Sequence, residues 1–200
     1  MTKIKICGMM SQQDIEYVNK ALPDYIGFVF ANGRRRYITP HKAFELKQLL
    51  DTRIKAVGVF VNESESGIMD IVRMNIIDMI QLHGDESDVF TERIKAVSGL
   101  PVIKAFSVSN SGDVAFAESS CADYILFDNG IGGTGSSFDW ELLRGVKRPF
   151  FLAGGINSSN IRMAVNNFAP YCVDVSSGAE TNGRKDPNKI RELMLRISKR

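Results

Sequence analysis

Short apolar runs alternate with helix-like stretches along the whole chain. The runs are KIKIC, DYIGFVF, KAVGVFV, DMIQLH, PVIKAF, DYILFD, PFFLAG and YCVDVSS, rich in β-branched and aromatic residues, and they recur every 22 to 31 residues. Composition and length of this kind predict strands. Between them SQQDIEYVNKAL, HKAFELKQLL, SSNIRMAVNNF and DPNKIRELMLRI predict helices. Several open on a start signal: Ser11 with Asp14 three residues on, Thr39 before Pro40, and Asp186 before Pro187. Eight strand–helix units in succession imply parallel strands joined by right-handed crossovers. A closed eightfold barrel and an open doubly wound sheet both fit. Open sheets rarely carry eight such even units, whereas a barrel of that number closes around a filled interior. The expectation is a single-domain (β/α)8 TIM barrel over residues 1–200, near the lower limit of length for that fold. No linker, low-complexity tract or shift in composition marks a second domain.

Composition narrows the function classes. With 25 basic and 23 acidic side chains the net charge is +2, which argues against nucleic-acid binding by bulk electrostatics. No apolar run approaches the ~20 residues that span a bilayer, and MTKIKICGMM lacks the pattern of a signal peptide. The expected location is the cytoplasm, with neither a membrane nor a nucleic acid as partner. Cys7, Cys121 and Cys172 are an odd number without C-x-x-C spacing, so neither a disulfide framework nor a zinc site follows. The two histidines, His41 and His83, lie far apart, which argues against a metal site.

In such a barrel, function lies where strands end and the following loops begin. Glycine and polar residues cluster there: Cys7-Gly8, Asn32-Gly33-Arg34-Arg35-Arg36, His83-Gly84-Asp85, Asp128-Asn129-Gly130, Gly154-Gly155 and Ser176-Ser177-Gly178. The loops after the seventh and eighth strands often form a phosphate site. Here the amides of Gly154, Gly155, Ser177 and Gly178 would cradle it. Strand alternation puts Lys5 and Cys7 on one face, opposite Ile4 and Ile6, with Cys7 pointing into the barrel. A cysteine is commonly a small buried hydrophobe. At this end of a strand, cationic neighbours and helix N-termini would favour the reactive thiolate. Asp128 follows the apolar YILF and cannot be a partnerless core residue, so it is a cap, a ligand or a catalytic acid. Alternation from Leu126 faces it across the mouth from Cys7, one group removing a proton while the other delivers one. That is isomerase chemistry and needs no cofactor. Arg34 and Arg35 read as a solvated face, while Arg36 is placed to fork a carboxylate. His83 either touches substrate or orients a neighbour. Asp174 would pair with Lys5 or Lys104 inside the barrel, and His41 would lie on the surface.

KICG at 5–8, GFVF at 27–30, RRYITP at 35–40, VGVFVN at 57–62, QLHG at 81–84, GGTG at 132–135 with FDW at 138–140, AGGIN at 153–157 and DVSSGAE at 174–180 occur in this order. In these motifs the chain resembles the phosphoribosylanthranilate isomerase family from end to end. The resemblance implies a (β/α)8 barrel that rearranges N-(5-phosphoribosyl)anthranilate to 1-(2-carboxyphenylamino)-1-deoxyribulose 5-phosphate in tryptophan biosynthesis. It also implies Cys7 as general base, Asp128 as general acid, Arg36 as the carboxylate-binding arginine, and Gly154, Gly155, Ser177 and Gly178 as the phosphate loops. The chain departs from many relatives at Ser136-Ser137, where they carry a lysine after GGTG, and at Asn32-Gly33, where they carry a Ser-x-Arg turn. Two alternatives are other sugar-phosphate barrel enzymes and a catalytically silent sugar-phosphate-binding barrel. Indole-glycerol phosphate synthase wants a catalytic lysine with glutamates at the mouth. A histidine-pathway isomerase wants aspartate where this chain has Cys7. A silent barrel could lose the acid or the base, and this chain keeps both. The expected ligand is a phosphorylated small molecule, and the expected state is a monomer rather than a dimer, because a closed barrel has no sheet edge to pair.

Overall fold

A computed structural model describes residues 1–129 and 138–198. The GGTG motif and Ser136-Ser137 lie outside the described residues, as does Gly130. The eight expected strands form, as β1 (Lys3–Cys7), β2 (Tyr25–Val29), β3 (Lys55–Phe60), β4 (Met79–Leu82), β5 (Val102–Ser107), β6 (Tyr124–Asp128), β7 (Phe150–Leu152) and β8 (Cys172–Val175). Each pairs in parallel with its neighbour in sequence. The register Lys5↔Asp174 between β1 and β8 closes the barrel.

Helices α1 (Gln12–Ala21), α2 (Pro40–Leu49), α3 (Glu65–Arg73), α4 (Asp88–Ser98), α5 (Ser111–Glu118), α6 (Ile161–Phe168) and α7 (Pro187–Ser198) pack outside it. Their starts follow the local chemistry read from the sequence. Ser11 Oγ accepts from the Asp14 amide while the Asp14 carboxylate accepts from the Ser11 amide, closing a capping box. Thr39 Oγ1 accepts from the Lys42 amide ahead of Pro40. Asp186 Oδ1 accepts from the amides of Asn188 and Lys189 across Pro187.

The connection from β6 to β7 departs from the strand–helix repeat. Among the described residues it holds one 3-10 turn, Trp140–Leu143, in place of an α-helix. Asp139 caps the turn, and Gly145 at φ +92 with Pro149 four residues on stops any continuation. Trp140 and Leu143 are nonetheless buried, and Trp140 meets Phe168 of α6 edge-on. The turn thus covers the barrel wall where a helix would otherwise lie.

Alternation along the strands separates two apolar layers. Ile4, Ile6, Ile26, Phe28, Ile80, Leu82, Ile125 and Phe127 face outward into the layer beneath the helices. Tyr25, Val57, Met79, Ile103, Leu126, Phe151 and Cys172 fill the barrel itself. Toward the carboxyl ends of the strands the polar side chains of Lys5, Gln81, Asp128 and Asp174 are buried in the interior. No described helix is long and apolar enough to cross a membrane.

Candidate active site

The carboxyl ends of the strands enclose a cavity of about 1110 Å³. Cys7, Arg36, His83, Asp128, Gly154, Gly155 and Ser177 all line it, so seven of the eight candidate residues meet at one mouth.

Cys7 enters from the end of β1, buried, with its Sγ lying over Gly27 of β2. A Cβ on residue 27 would come within 2.6 Å of that sulfur, so the glycine of GFVF is what seats the cysteine. Nothing in the spacing of GFVF signals this role, which depends on β1 and β2 lying side by side. The thiol does not follow the expectation of a favoured thiolate. Burial pushes it up, and the opposing charges of Lys5 and Lys185 do not overcome that.

Asp128 ends β6. Its Oδ1 accepts from the Asn129 amide at 2.7 Å, and its Oδ2 lies 3.3 Å from His83 Nε2. Burial alone would raise this carboxyl. The hydrogen bond from His83, helped by the Asn129 amide and Lys5, holds it below the usual carboxylate range. His83 therefore stands beside Asp128 rather than apart from it.

Beneath this pair runs a buried polar chain. Lys5 Nζ donates to Asp174 Oδ2 at 2.8 Å and to Gln81 Oε1 at 2.7 Å, and Gln81 Nε2 lies 2.8 Å from His83 Nδ1. Of the two partners alternation allowed for Asp174, Lys5 is the one it meets. The other candidate partner, Lys104, instead holds Glu86 and the Gly84 carbonyl in the loop after β4. Asp174 Oδ1 is buried and accepts no hydrogen bond among the described residues.

Arg36 does fork a carboxylate, but that carboxylate belongs to the protein. Its Nε and Nη2 donate to Glu180 at 2.6 and 2.9 Å, and Arg35 and Lys185 join the same group. Burial would raise Glu180, yet Arg36 and Lys185 bring it down to about 2. The Arg36 side chain crosses Gly8 so closely that a Cβ there would lie 2.3 Å from its Cδ. Arg34 is exposed as expected, and Arg35 keeps an exposed side chain despite its ion pair. His41 is exposed beside Glu45. Glu180 stands in the quoted DVSSGAE motif and received no role from sequence. The short β9 (Glu180–Thr181) and β10 (Arg184–Lys185) hairpin that presents it to Arg36 left no clear signal there.

After β7, Gly154 and Gly155 take φ +77 and +70, a pair of left-handed positions that glycine adopts without strain. After β8 the chain makes a 3-10 turn, Ser177–Ala179. The amides of Gly154, Gly155, Ser177 and Gly178 donate to no acceptor among the described residues. Gly178 does not line the cavity. A Cβ there would fall 2.0 Å from the Ile156 carbonyl oxygen, so its smallness lets the two loops pack together.

The family model for N-(5'-phosphoribosyl)anthranilate isomerase matches residues 4–196. The chain belongs to that family. It is 47% identical over 198 residues to the N-(5'-phosphoribosyl)anthranilate isomerase of Endomicrobium trichonymphae, covering 97% of each chain. Among solved structures it matches a phosphoribosylanthranilate isomerase in complex with reduced 1-(o-carboxyphenylamino)-1-deoxyribulose 5-phosphate, with a TM-score of 0.84, 34% identity and 97% of each chain covered. It also matches monomers generated from the dimeric enzyme of Thermotoga maritima, with a TM-score of 0.87, 35% identity and 98% of each chain covered. Membership in the phosphoribosylanthranilate isomerase family carries an isomerase activity in tryptophan biosynthesis. The closed eightfold barrel is the fold on which the chain performs it.

Proposed function

We propose that the mouth rearranges N-(5-phosphoribosyl)anthranilate to 1-(2-carboxyphenylamino)-1-deoxyribulose 5-phosphate with Asp128 as general acid and Cys7 as general base. The observation that carries this assignment is the pairing of a strand-end thiol and a strand-end carboxyl in one cavity. Asp128 protonates the furanose ring oxygen, the C1'–O bond breaks as the anilino nitrogen donates its lone pair, and a Schiff base forms. Cys7 then takes the C2' proton, and the resulting enolamine tautomerises to the ketone. Hydrogen moves within the substrate, so no external oxidant or reductant is required.

The unpartnered amides of Gly154, Gly155 and Ser177, which line the cavity, take the phosphate, while Gly178 packs the second loop against the first. Arg36 has spent Nε and Nη2 on Glu180, which leaves Nη1 for the anthranilate carboxylate. Glu180 thereby sets the plane of the guanidinium. The buried Oδ1 of Asp174 is an acceptor for a sugar hydroxyl. The chain works as a cytoplasmic monomer on this reading, its closed sheet having no edge to pair; light scattering at the expected monomer mass checks the state.

Resting protonation runs opposite to these roles, with the proton on sulfur and the carboxyl bare. The working arrangement is then a minority form whose share is constant between the two titrations. The expected kcat/KM is flat through neutral pH, falling in acid as Asp128 takes a proton and in alkali as Cys7 loses one. Asp128→Asn should lower kcat by ~10² or more while KM stays within a few-fold. Retention of native kcat by Asp128→Asn would remove the acid assignment.

A further inference from the structure

The buried chain beneath the site has a direction, and one charge sets it. Lys5 is fully buried, and its ammonium can only donate. The Gln81 amide must therefore present its oxygen to Lys5, at 2.7 Å. Turning the amide over would set an NH2 group against the ammonium. Asp174 on the other side, at 2.8 Å, supplies the countercharge that keeps Lys5 protonated in the interior. With its oxygen so committed, Gln81 has only N–H to offer His83, and its Nε2 lies 2.8 Å from Nδ1. Nδ1 is then the acceptor and carries no proton. The proton of the neutral ring sits on Nε2, which lies 3.3 Å from Asp128 Oδ2. Every donor in the series Lys5, Gln81, His83 points toward Asp128.

We propose that Gln81, its amide oriented by Lys5, is a positioning residue that fixes His83 as the Nε2–H tautomer and so supplies Asp128 with a standing N–H donor. In the reaction this matters at one moment. When Asp128 has given up its proton, the carboxylate left behind meets a donor already in place, without any rotation of the imidazole. With the proton on Nδ1, a bare ring nitrogen would face the carboxylate instead. The consequence for rate rests on the assignment of Asp128 above, while the tautomer itself does not.

The test is made first on the free protein. The chain has two histidines, and a His41→Ala variant assigns the ring signals of His83. Long-range 1H–15N spectra of the neutral ring should show a protonated Nε2 and a bare Nδ1. A proton on Nδ1 in the native protein would overturn the proposal outright. In Gln81→Glu the new carboxylate accepts from both Lys5 and the ring, so the proton should move to Nδ1. An unchanged ring in that variant also overturns the proposal. Gln81→Glu keeps the shape and the bond to Lys5, so a purely structural role would leave turnover intact. The expected result is a kcat lower by ~10- to 100-fold with KM little changed, the scale on which orienting partners count. If Gln81→Glu fails to fold, the native spectrum still decides the tautomer. If the spectra agree while Asp128→Asn turns over normally, it is the acid assignment that has failed and not the tautomer.

Discussion

Two lysines on β1, two residues apart, face the same barrel interior and do unlike things. Lys3 sits at the amino end of the strands, where its ammonium donates to the hydroxyls of Tyr171 at 2.9 Å and Tyr25 at 3.2 Å. It also lies over both rings, 4.9 and 5.3 Å from their centroids. Tyr124 stacks on Tyr171, and Phe151 packs against all three tyrosines. This end is an aromatic plug with a cation held by neutral groups. One layer up, Lys5 is held by the charge of Asp174, and its second bond passes through Gln81 and His83 to Asp128. The same residue type closes the barrel at one level and orients its chemistry at the next. What separates the two is the partner, a phenol at one end and a carboxylate with an amide at the other.

The largest expected effect is Lys5→Met, which leaves the Asp174 carboxylate buried without its cation. Removing one member of a buried pair costs about 3–5 kcal/mol. The denaturant midpoint should fall accordingly, with activity falling alongside. Lys3→Met removes an ammonium that is only partly buried, and its loss of cation–π and hydroxyl contacts should cost about 1 kcal/mol with kcat unchanged. Equal losses in the two variants would erase the distinction between the ends. Next in size, Arg36→Met should raise KM by ~10-fold or more ahead of any loss in kcat, since a bond to a charged group is worth about 1.5–3 kcal/mol. Smaller again is acid sensitivity at the mouth. Glu180 is held at about 2 against an ordinary value of 4.5, so the stability it contributes is complete above pH 4.5 and is lost as pH falls toward 2. An Arg36→Met melt series across that range should show a shallower decline than the native protein.

Most of the fold was legible because strand composition, capping residues and even spacing agree with one another. The connection from β6 to β7 was not, since its apolar residues suit a helix that Gly145 and Pro149 cut to one turn. Alternation alone was enough to point Cys7, Asp128, Lys5 and Asp174 into the barrel, but it left Asp174 a choice between Lys5 and Lys104 that only the distances decide. It could not give the sign of the Cys7 shift, because burial and cationic neighbours oppose each other and only their distances decide which wins. Arg36 read as a fork for a carboxylate, yet the carboxylate it grips is 144 positions away, on a hairpin with no periodic signature. Gln81 opens QLHG but carries no charge, and the motif by itself assigns it no task. Its part appears only once Lys5 and His83 are seen on either side of it.

The division of labour between the two ends is tested most directly by progress curves with freshly generated phosphoribosylanthranilate, whose aminobenzoate fluorescence reports turnover, run on the native protein, Cys7→Ser and Tyr171→Phe. The native chain should consume the substrate. Tyr171→Phe should do so at the native rate despite a stability loss of about 1 kcal/mol, and Cys7→Ser should be slower by ~10² or more at unaltered stability. Near-native turnover by Cys7→Ser would contradict the account.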